Sequence, residues 1–183
     1  MHRMISSLLL AGSTFASAAP EVTGLEQDAR QLAVQFVSQL KPRLKQAMQE
    51  GGPTRAIEVC ASTAPKIADS LSAESGWQVK RVSLKSRNAS RAAPDSWESA
   101  VLQEFDRRQA AGEVAAQINY GEIQGTRYRY MQAQGTAGLC LTCHGEQLTP
   151  AVTETLQQYY PDDQAIGYQL GQVRGAISLS RQL

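Results

Sequence analysis

Apolar residues recur at spacings of three and four through the first part of the chain, which is the period of an amphipathic helix. The pattern covers residues 25–50. Its apolar positions are Leu25, Ala29, Leu32, Phe36, Leu40 and Leu44. Pro42 lies inside the pattern and predicts that the helix kinks or splits there. Gly51 and Gly52 predict its end, and Pro53 suits the first position of a second helix.

The second helix is expected to end near residue 71, and further helices are expected later in the chain. The apolar stripe of this second helix consists of Ile57, Cys60, Ala64, Ile67 and Leu71. The pair Asp95 and Glu98 matches a capping box that opens another helix. A short helix is predicted to begin at residues 149–150 and to end before Pro161.

Between these helices the pattern changes to the alternation that is typical of strands. The predicted strands are 77–84, 114–120, 126–133 and 173–179. In 126–133, Tyr128 and Tyr130 share one face. Residues 86–93 are expected to form a polar loop, and residues 121–125 a turn. This order of elements predicts one α+β domain, with a small antiparallel sheet and flanking helices.

Composition and charge exclude several classes of protein. The 183 residues are 42% hydrophobic and 19% charged, with 18 basic and 17 acidic side chains. This balance gives no reason to expect a nucleic-acid partner. The sequence has no run of eighteen apolar residues, so we expect no membrane span.

The first nineteen residues match a cleavable secretory signal peptide. A positive start at Arg3 is followed by a short apolar stretch over 4–11 and by small residues up to Ala19. We therefore expect residues 1–19 to be removed and residues 20–183 to form a single periplasmic domain. Loss of Arg3 reduces the 18 basic side chains to 17, equal to the 17 acidic ones. The exported chain would retain one histidine, His144.

One motif predicts specific chemistry. Cys140, Cys143 and His144 form C-x-x-C-H, in which two thiols can bond to the vinyl groups of a haem and the imidazole can reach the iron. A structural disulfide, a thioredoxin-like redox pair and half of a zinc site are the alternatives. Zinc usually takes four protein ligands, whereas a thioredoxin-like motif should open a helix after a strand. The flanking residues instead suggest a loop, and we expect one covalent haem c.

The second axial ligand is open on spacing alone. With a single histidine, the candidates are Cys60, Met48 and Met131, or no protein ligand. Cys60 is the odd thiol of a chain bound for an oxidising compartment, although free cysteines are also common as small buried residues.

A haem also carries two propionates, for which arginine is the preferred partner. The candidate partners are Arg81, Arg87, Arg127 and Arg129. The candidate aromatic walls are Trp77, Trp97, Tyr128 and Tyr130.

Short stretches spread along the chain resemble a family of exported single-haem c-type cytochromes with a PAS-like sensor fold. The matching stretches are Ala56 to Cys60 with Ala64-Pro65, Arg81 to Lys85 with Arg87-Asn88, Pro94 to Glu98 with Val101-Leu102, Cys140 to Gly145, Tyr160 to Tyr168, and Gly171 to Ala176. The resemblance implies a PAS-like fold, haem attachment at Cys140 and Cys143, and iron ligation by His144 and Cys60.

These features favour two functions. In the first, the haem senses redox state or a gas such as NO or CO and signals through a partner protein. In the second, the domain is a low-potential electron carrier that docks with a redox partner, because thiolate ligation lowers the potential. Peroxide chemistry usually needs a second, acid–base histidine. The exported chain has none, so we expect no enzymatic activity.

Overall fold

The structure is a computed structural model that describes residues 19–183. The expected signal peptide, apart from Ala19, therefore lies outside the described residues. The helices are α1 (Ala19–Ser75), α2 (Ala89–Ala92), α3 (Ser96–Ala110), α4 (Gly138–His144) and α5 (Pro150–Tyr159), with one 3₁₀ turn at Ala115–Gln117. The strands are β1 (Gln78–Val82), β2 (Asn119–Gln124), β3 (Arg127–Gly135) and β4 (Val173–Gln182). No helix in this described part is long and apolar enough to cross a membrane.

Helix α1 is two helical arms joined at a pair of glycines. The non-helical dihedral angles lie at Gly51 and at Gly52, which has φ 68° and ψ −160°. Only glycine adopts that conformation readily. Pro42 does not split the helix, contrary to one outcome expected from the sequence. The first arm (residues 19–50) and the second arm (residues 53–75) contribute to one core cluster, so the chain reverses direction between them.

The four strands form an antiparallel sheet in the order β1-β4-β3-β2. The last strand in the sequence is therefore a central one, paired with β1 and β3. Strands β2 and β3 form a hairpin whose two-residue turn is Gly125 and Thr126. The predicted turn over 121–125 is wrong because residues 121–124 belong to β2.

The predicted strand 114–120 is also mostly wrong. Its first half is the 3₁₀ turn, and β2 begins at Asn119. Both Ala115 and Ile118 are buried, a spacing of three that suits a helical turn and not a strand. The predicted polar loop 86–93 likewise contains the short helix α2.

Helices cover both faces of the sheet. On one face Tyr128 and Tyr130 pack with the two arms of α1. On the other face Met131 packs with Leu102 and Phe105 of α3. The prediction of an α+β fold, with a small antiparallel sheet and flanking helices, is therefore confirmed.

A buried carboxylate fixes α3 on the sheet. Glu98 is completely buried, and together with Asp95 it forms the predicted capping box. Its oxygens accept hydrogen bonds from Lys80 Nζ at 2.9 Å and from the Ser178 hydroxyl at 2.6 Å. Arg129 Nη2 lies 3.5 Å from the same carboxylate. These partners tie α3 to β1, β3 and β4.

Candidate haem site

The C-x-x-C-H motif lies on helix α4. This seven-residue helix starts at Gly138, with two residues between it and the end of β3, and His144 is its last residue. The motif itself is therefore helical and not a loop, whereas its flanks at Thr136, Ala137 and Gly145 are non-helical, as expected from the sequence. Because the motif does follow a strand and lies in a helix, its flanks do not separate haem attachment from a thioredoxin-like pair. The surroundings of His144 distinguish these two alternatives.

His144 is held in one tautomer. Its Nδ1 lies 2.8 Å from the backbone oxygen of Ala165, which can only accept, so Nδ1 carries a proton. Burial, together with the nearby charges of Arg174 and Arg87, lowers the pKa of His144 to about 2. The ring is consequently neutral, and its Nε2 lone pair is free to bind a metal.

Two adjoining cavities meet at this imidazole. They share six lining residues: Cys60, Arg81, Arg87, His144, Tyr160 and Arg174. One of the two is also lined by Cys140 and Cys143. The structure thus brings together all six site residues expected from the sequence, although they lie on four separate parts of the chain.

Cys60 reaches the cavities from the second arm of α1. A small apolar cluster, in which Ile57 packs with Val152 and Leu156, fixes this arm against α5. Cys143 packs against the same cluster. The thiol of Cys60 and the motif are therefore held by one packing unit. All three cysteines are free thiols, and burial raises the pKa of the Cys143 thiol.

The cavities carry positive charge without a matching anion. Arg81 donates from Nε to Gln134 Oε1 at 3.1 Å, and Nε of Arg174 is buried without a hydrogen-bond partner. Burial, together with the charge of Arg174, lowers the pKa of Arg81 to about 10. Among the described residues, no Asp or Glu lines either cavity. A buried charge is costly without a counter-charge, so this arrangement suits an anionic ligand.

Arg174 itself was not among the residues predicted from the sequence. It precedes Gly175, whose φ of 143° and close approach to the backbone oxygen of Val82 leave no room for a side chain. The glycine lets β4 run tightly against β1. The only sequence signal for Arg174 was the glycine that follows it in a predicted strand. That signal does not reveal which arginine lacks a counter-charge in the folded protein.

The other candidate residues divide clearly. Met48 lines the cavity that contains the motif cysteines, whereas Met131 is fully buried in the core beneath α3. Arg129 stacks 4.1 Å from the ring of Trp97 and pairs with Asp95, away from both cavities.

The remaining candidates also lie elsewhere. Arg127 is exposed beside the hairpin turn. Trp77 packs edge-on against Tyr128 in the α1 core, and Tyr130 lies in that core. Within 19–183, Tyr160 is the only Phe, Trp or Tyr that lines both cavities, and it was not among the aromatic walls predicted from the sequence.

These observations describe a small α+β domain whose buried cavity combines a neutral histidine, three thiols and unpaired arginines. The chain belongs to the Tll0287-like family, whose model matches residues 18–181. Among solved structures, it is similar to the cyanobacterial heme-protein Tll0287, with a TM-score of 0.64 and 27% sequence identity. That match covers 89% of this chain and 96% of the other. The comparison with curated proteins returned no match.

Proposed function

We propose that this protein is a c-type haem protein that carries one haem on Cys140 and Cys143. The observation that carries the proposal is the neutral His144, whose Nε2 is free in a cavity that both motif thiols line. The similar solved structure is that of a haem protein, which supports the same cofactor here. A thioredoxin-like pair would have no use for a buried, fixed imidazole at its side.

The residues present fit the cofactor. His144 would be one axial ligand, and Cys60 the other, with Met48 as the competing donor because it lines the same cavity. Arg81 and Arg174 would bind the two propionates, since their charges lack an acidic partner in the cavities and Nε of Arg174 lacks any hydrogen bond. When bound, the haem would supply a one-electron iron couple.

Redox or gas sensing is the function that we favour. A thiolate is stabilised by the higher charge of oxidised iron, so reduction would let Cys60 take up a proton and leave. The position would then be open to NO or CO. Cys60 lies on the second arm of α1, which packs on α5 and on the sheet, so its release would loosen that packing. A partner protein would read the change.

Electron transfer is the second candidate, and one observation favours it. Leu139, the residue before the first motif cysteine, lines the cavity and is 46% exposed. An apolar side chain that connects the cofactor cavity to the surface suits transient docking of a redox partner. We further propose that the domain has a PAS-like architecture, functions in the periplasm after removal of residues 1–19, and is not an enzyme.

The decisive experiment uses protein matured in a host that makes c-type thioether links. We expect a covalent haem that survives denaturation, and its loss in the Cys140→Ser, Cys143→Ser double variant. Optical and EPR spectra of Cys60→Ala should then differ from wild type, whereas those of the matched cavity variant Met48→Leu should not.

Three results would contradict parts of this proposal. A colourless wild-type protein would exclude the haem. Oxidised spectra that are identical for wild type and Cys60→Ala would exclude Cys60 as a ligand. A ferrous protein whose spectrum is unchanged by CO would exclude ligand switching and would favour the electron carrier.

A further inference from the structure

Arg87 lines both cavities, and the protein engages two of its three guanidinium nitrogens, Nε and Nη2. Nη2 donates to the backbone oxygens of Cys143 at 2.5 Å and of Ala165 at 3.0 Å. Nε donates to Asp163 Oδ1 at 3.2 Å, and Nη2 lies 3.2 Å from Asp163 Oδ2. The Arg87 and Asp163 side chains are only 13% and 9% exposed. Because Arg87 already has these acceptors and Asp163 as its counter-charge, we assign the propionates to Arg81 and Arg174 in preference to Arg87.

These contacts converge on the residue that orients the histidine. The backbone oxygen of Ala165 accepts from both His144 Nδ1 and Arg87 Nη2. The backbone N–H of Ala165 donates to Asp163 Oδ1 at 2.8 Å. The ion pair thus hydrogen-bonds to both the backbone N–H and the backbone oxygen of Ala165. It also contacts the motif through the backbone oxygen of Cys143.

We infer that the Arg87–Asp163 pair is a positioning device that sets both the orientation and the donor strength of the axial imidazole. Two donors compete for one carbonyl oxygen, so Arg87 makes that oxygen a weaker acceptor for the His144 N–H. A weaker acceptor leaves less negative charge on the ring, and a less basic imidazole stabilises oxidised iron less. The inference rests on the proposed haem ligation by His144.

The two charges should act on the iron with opposite signs. Removal of the Arg87 cation strengthens the His144 hydrogen bond and removes a positive charge near the metal, and both effects lower the midpoint potential. Neutralisation of Asp163 leaves the cation of Arg87 uncompensated and should raise the potential. Coulomb interaction alone would also give shifts of opposite sign, so the positioning role is judged by the EPR g-values and by the size of the shifts relative to a control arginine.

The test compares four variants of the haem-loaded protein: Arg87→Met, Arg87→Lys, Asp163→Asn and Arg91→Met. Arg91 is the matched control, because it lines one of the same cavities but pairs with the exposed Asp69 and has no bond to Ala165. The readouts are covalent haem content, midpoint potential and the EPR g-values, which respond to the orientation of the axial ring.

We expect the potential to fall in Arg87→Met and to rise in Asp163→Asn, with a smaller change in Arg91→Met. Arg87→Lys retains the charge without the planar fork. It should therefore restore most of the potential while keeping altered g-values, and it provides the measurement should Arg87→Met fail to fold.

The outcomes separate this inference from the proposed function. If the wild type holds a His-ligated haem but Arg87→Met and Asp163→Asn shift together, or no further than Arg91→Met, the positioning role is wrong and the haem assignment stands. If the wild type binds no haem, the proposed function itself fails.

Discussion

Two neighbouring residues of β1, Lys80 and Arg81, begin two very different charged clusters. Lys80 reaches the carboxylate of Glu98 on the α3 side of the sheet. Arg81 points into the cavities on the α1 side, where its nearest charged neighbours include Arg174 and Arg87. One strand therefore carries a balanced buried cluster on one face and an unbalanced one on the other.

The difference shows which cluster serves the fold and which awaits a ligand. The Glu98 carboxylate accepts hydrogen bonds from Lys80, Ser178 and the backbone N–H of Asp95, and it needs nothing more. In the second cluster, Arg81 has one amide partner and Arg174 has an unpartnered Nε, while Arg87 is already paired with Asp163. Folding tolerates an uncompensated buried charge poorly, so the second cluster is best understood as one half of a binding site.

The largest effect should come from breaking the balanced cluster. Glu98→Ala removes the common acceptor and leaves the Ser178 hydroxyl and Arg129 without it. We expect a loss of about 3–5 kcal/mol in the free energy of unfolding, as is typical when one partner of a buried charged network is removed. Urea denaturation measures it, and a loss below that of the cap variant described below would show that the network is dispensable.

The unbalanced cluster should respond with a sign that depends on the ligand. Arg81→Met removes a costly buried charge, so in chains made without haem we expect stabilisation of about 1–3 kcal/mol. In haem-loaded protein the same change removes a carboxylate partner and should destabilise the fold. Thermal unfolding of both forms checks the prediction, and the same sign in both would refute the role in anion binding.

The helix cap next to Glu98 should matter less. Asp95 accepts from the backbone N–H of Glu98 at 2.8 Å. Asp95→Ala should cost about 1 kcal/mol, the usual value of an N-cap, as measured by urea denaturation. Asp95→Asn is the control, since asparagine caps almost as well, and equal losses in both variants would assign the effect to the Arg129 ion pair instead.

The smallest effect is expected at an exposed pair that belongs to neither cluster. Arg30 and Glu26 lie 2.8 Å apart on α1 and are both almost half exposed. Glu26→Gln should change the free energy of unfolding by less than about 0.5 kcal/mol, because solvent screens such pairs. A larger loss would show that burial does not determine how much an ion pair contributes to the free energy of unfolding in this protein.

The sequence was sufficient to predict the elements that bury apolar residues at a regular period. The α1 pattern, the cap at Asp95 and the alternation around Tyr128 and Tyr130 each follow from burial at a fixed period. The predicted secondary structure was wrong in short segments that bury few side chains. Residues 114–118 bury only two side chains, and a short alternating segment cannot be told from a helical turn on such a signal.

The site was predictable in its residue types but not in its pairing. The C-x-x-C-H spacing singled out Cys140, Cys143 and His144, the odd cysteine made Cys60 one candidate ligand, and the structure places all four beside one cavity. Which arginines are free is a tertiary property, because Arg87, Arg129 and Arg174 look alike until their acceptors are known. The carbonyl of Ala165 could not be recognised from sequence for the same reason.

The central place of β4 bears on the order in which the molecule is assembled. A chain that emerges from its N-terminus presents residues 140–144 before residues 173–182, and until the latter arrive β1 and β3 have no shared partner. Under the proposed covalent attachment, maturation enzymes would thus meet the motif while the sheet is still open. Closure by the final strand would then seal the wall to which Arg81 and Arg174 belong.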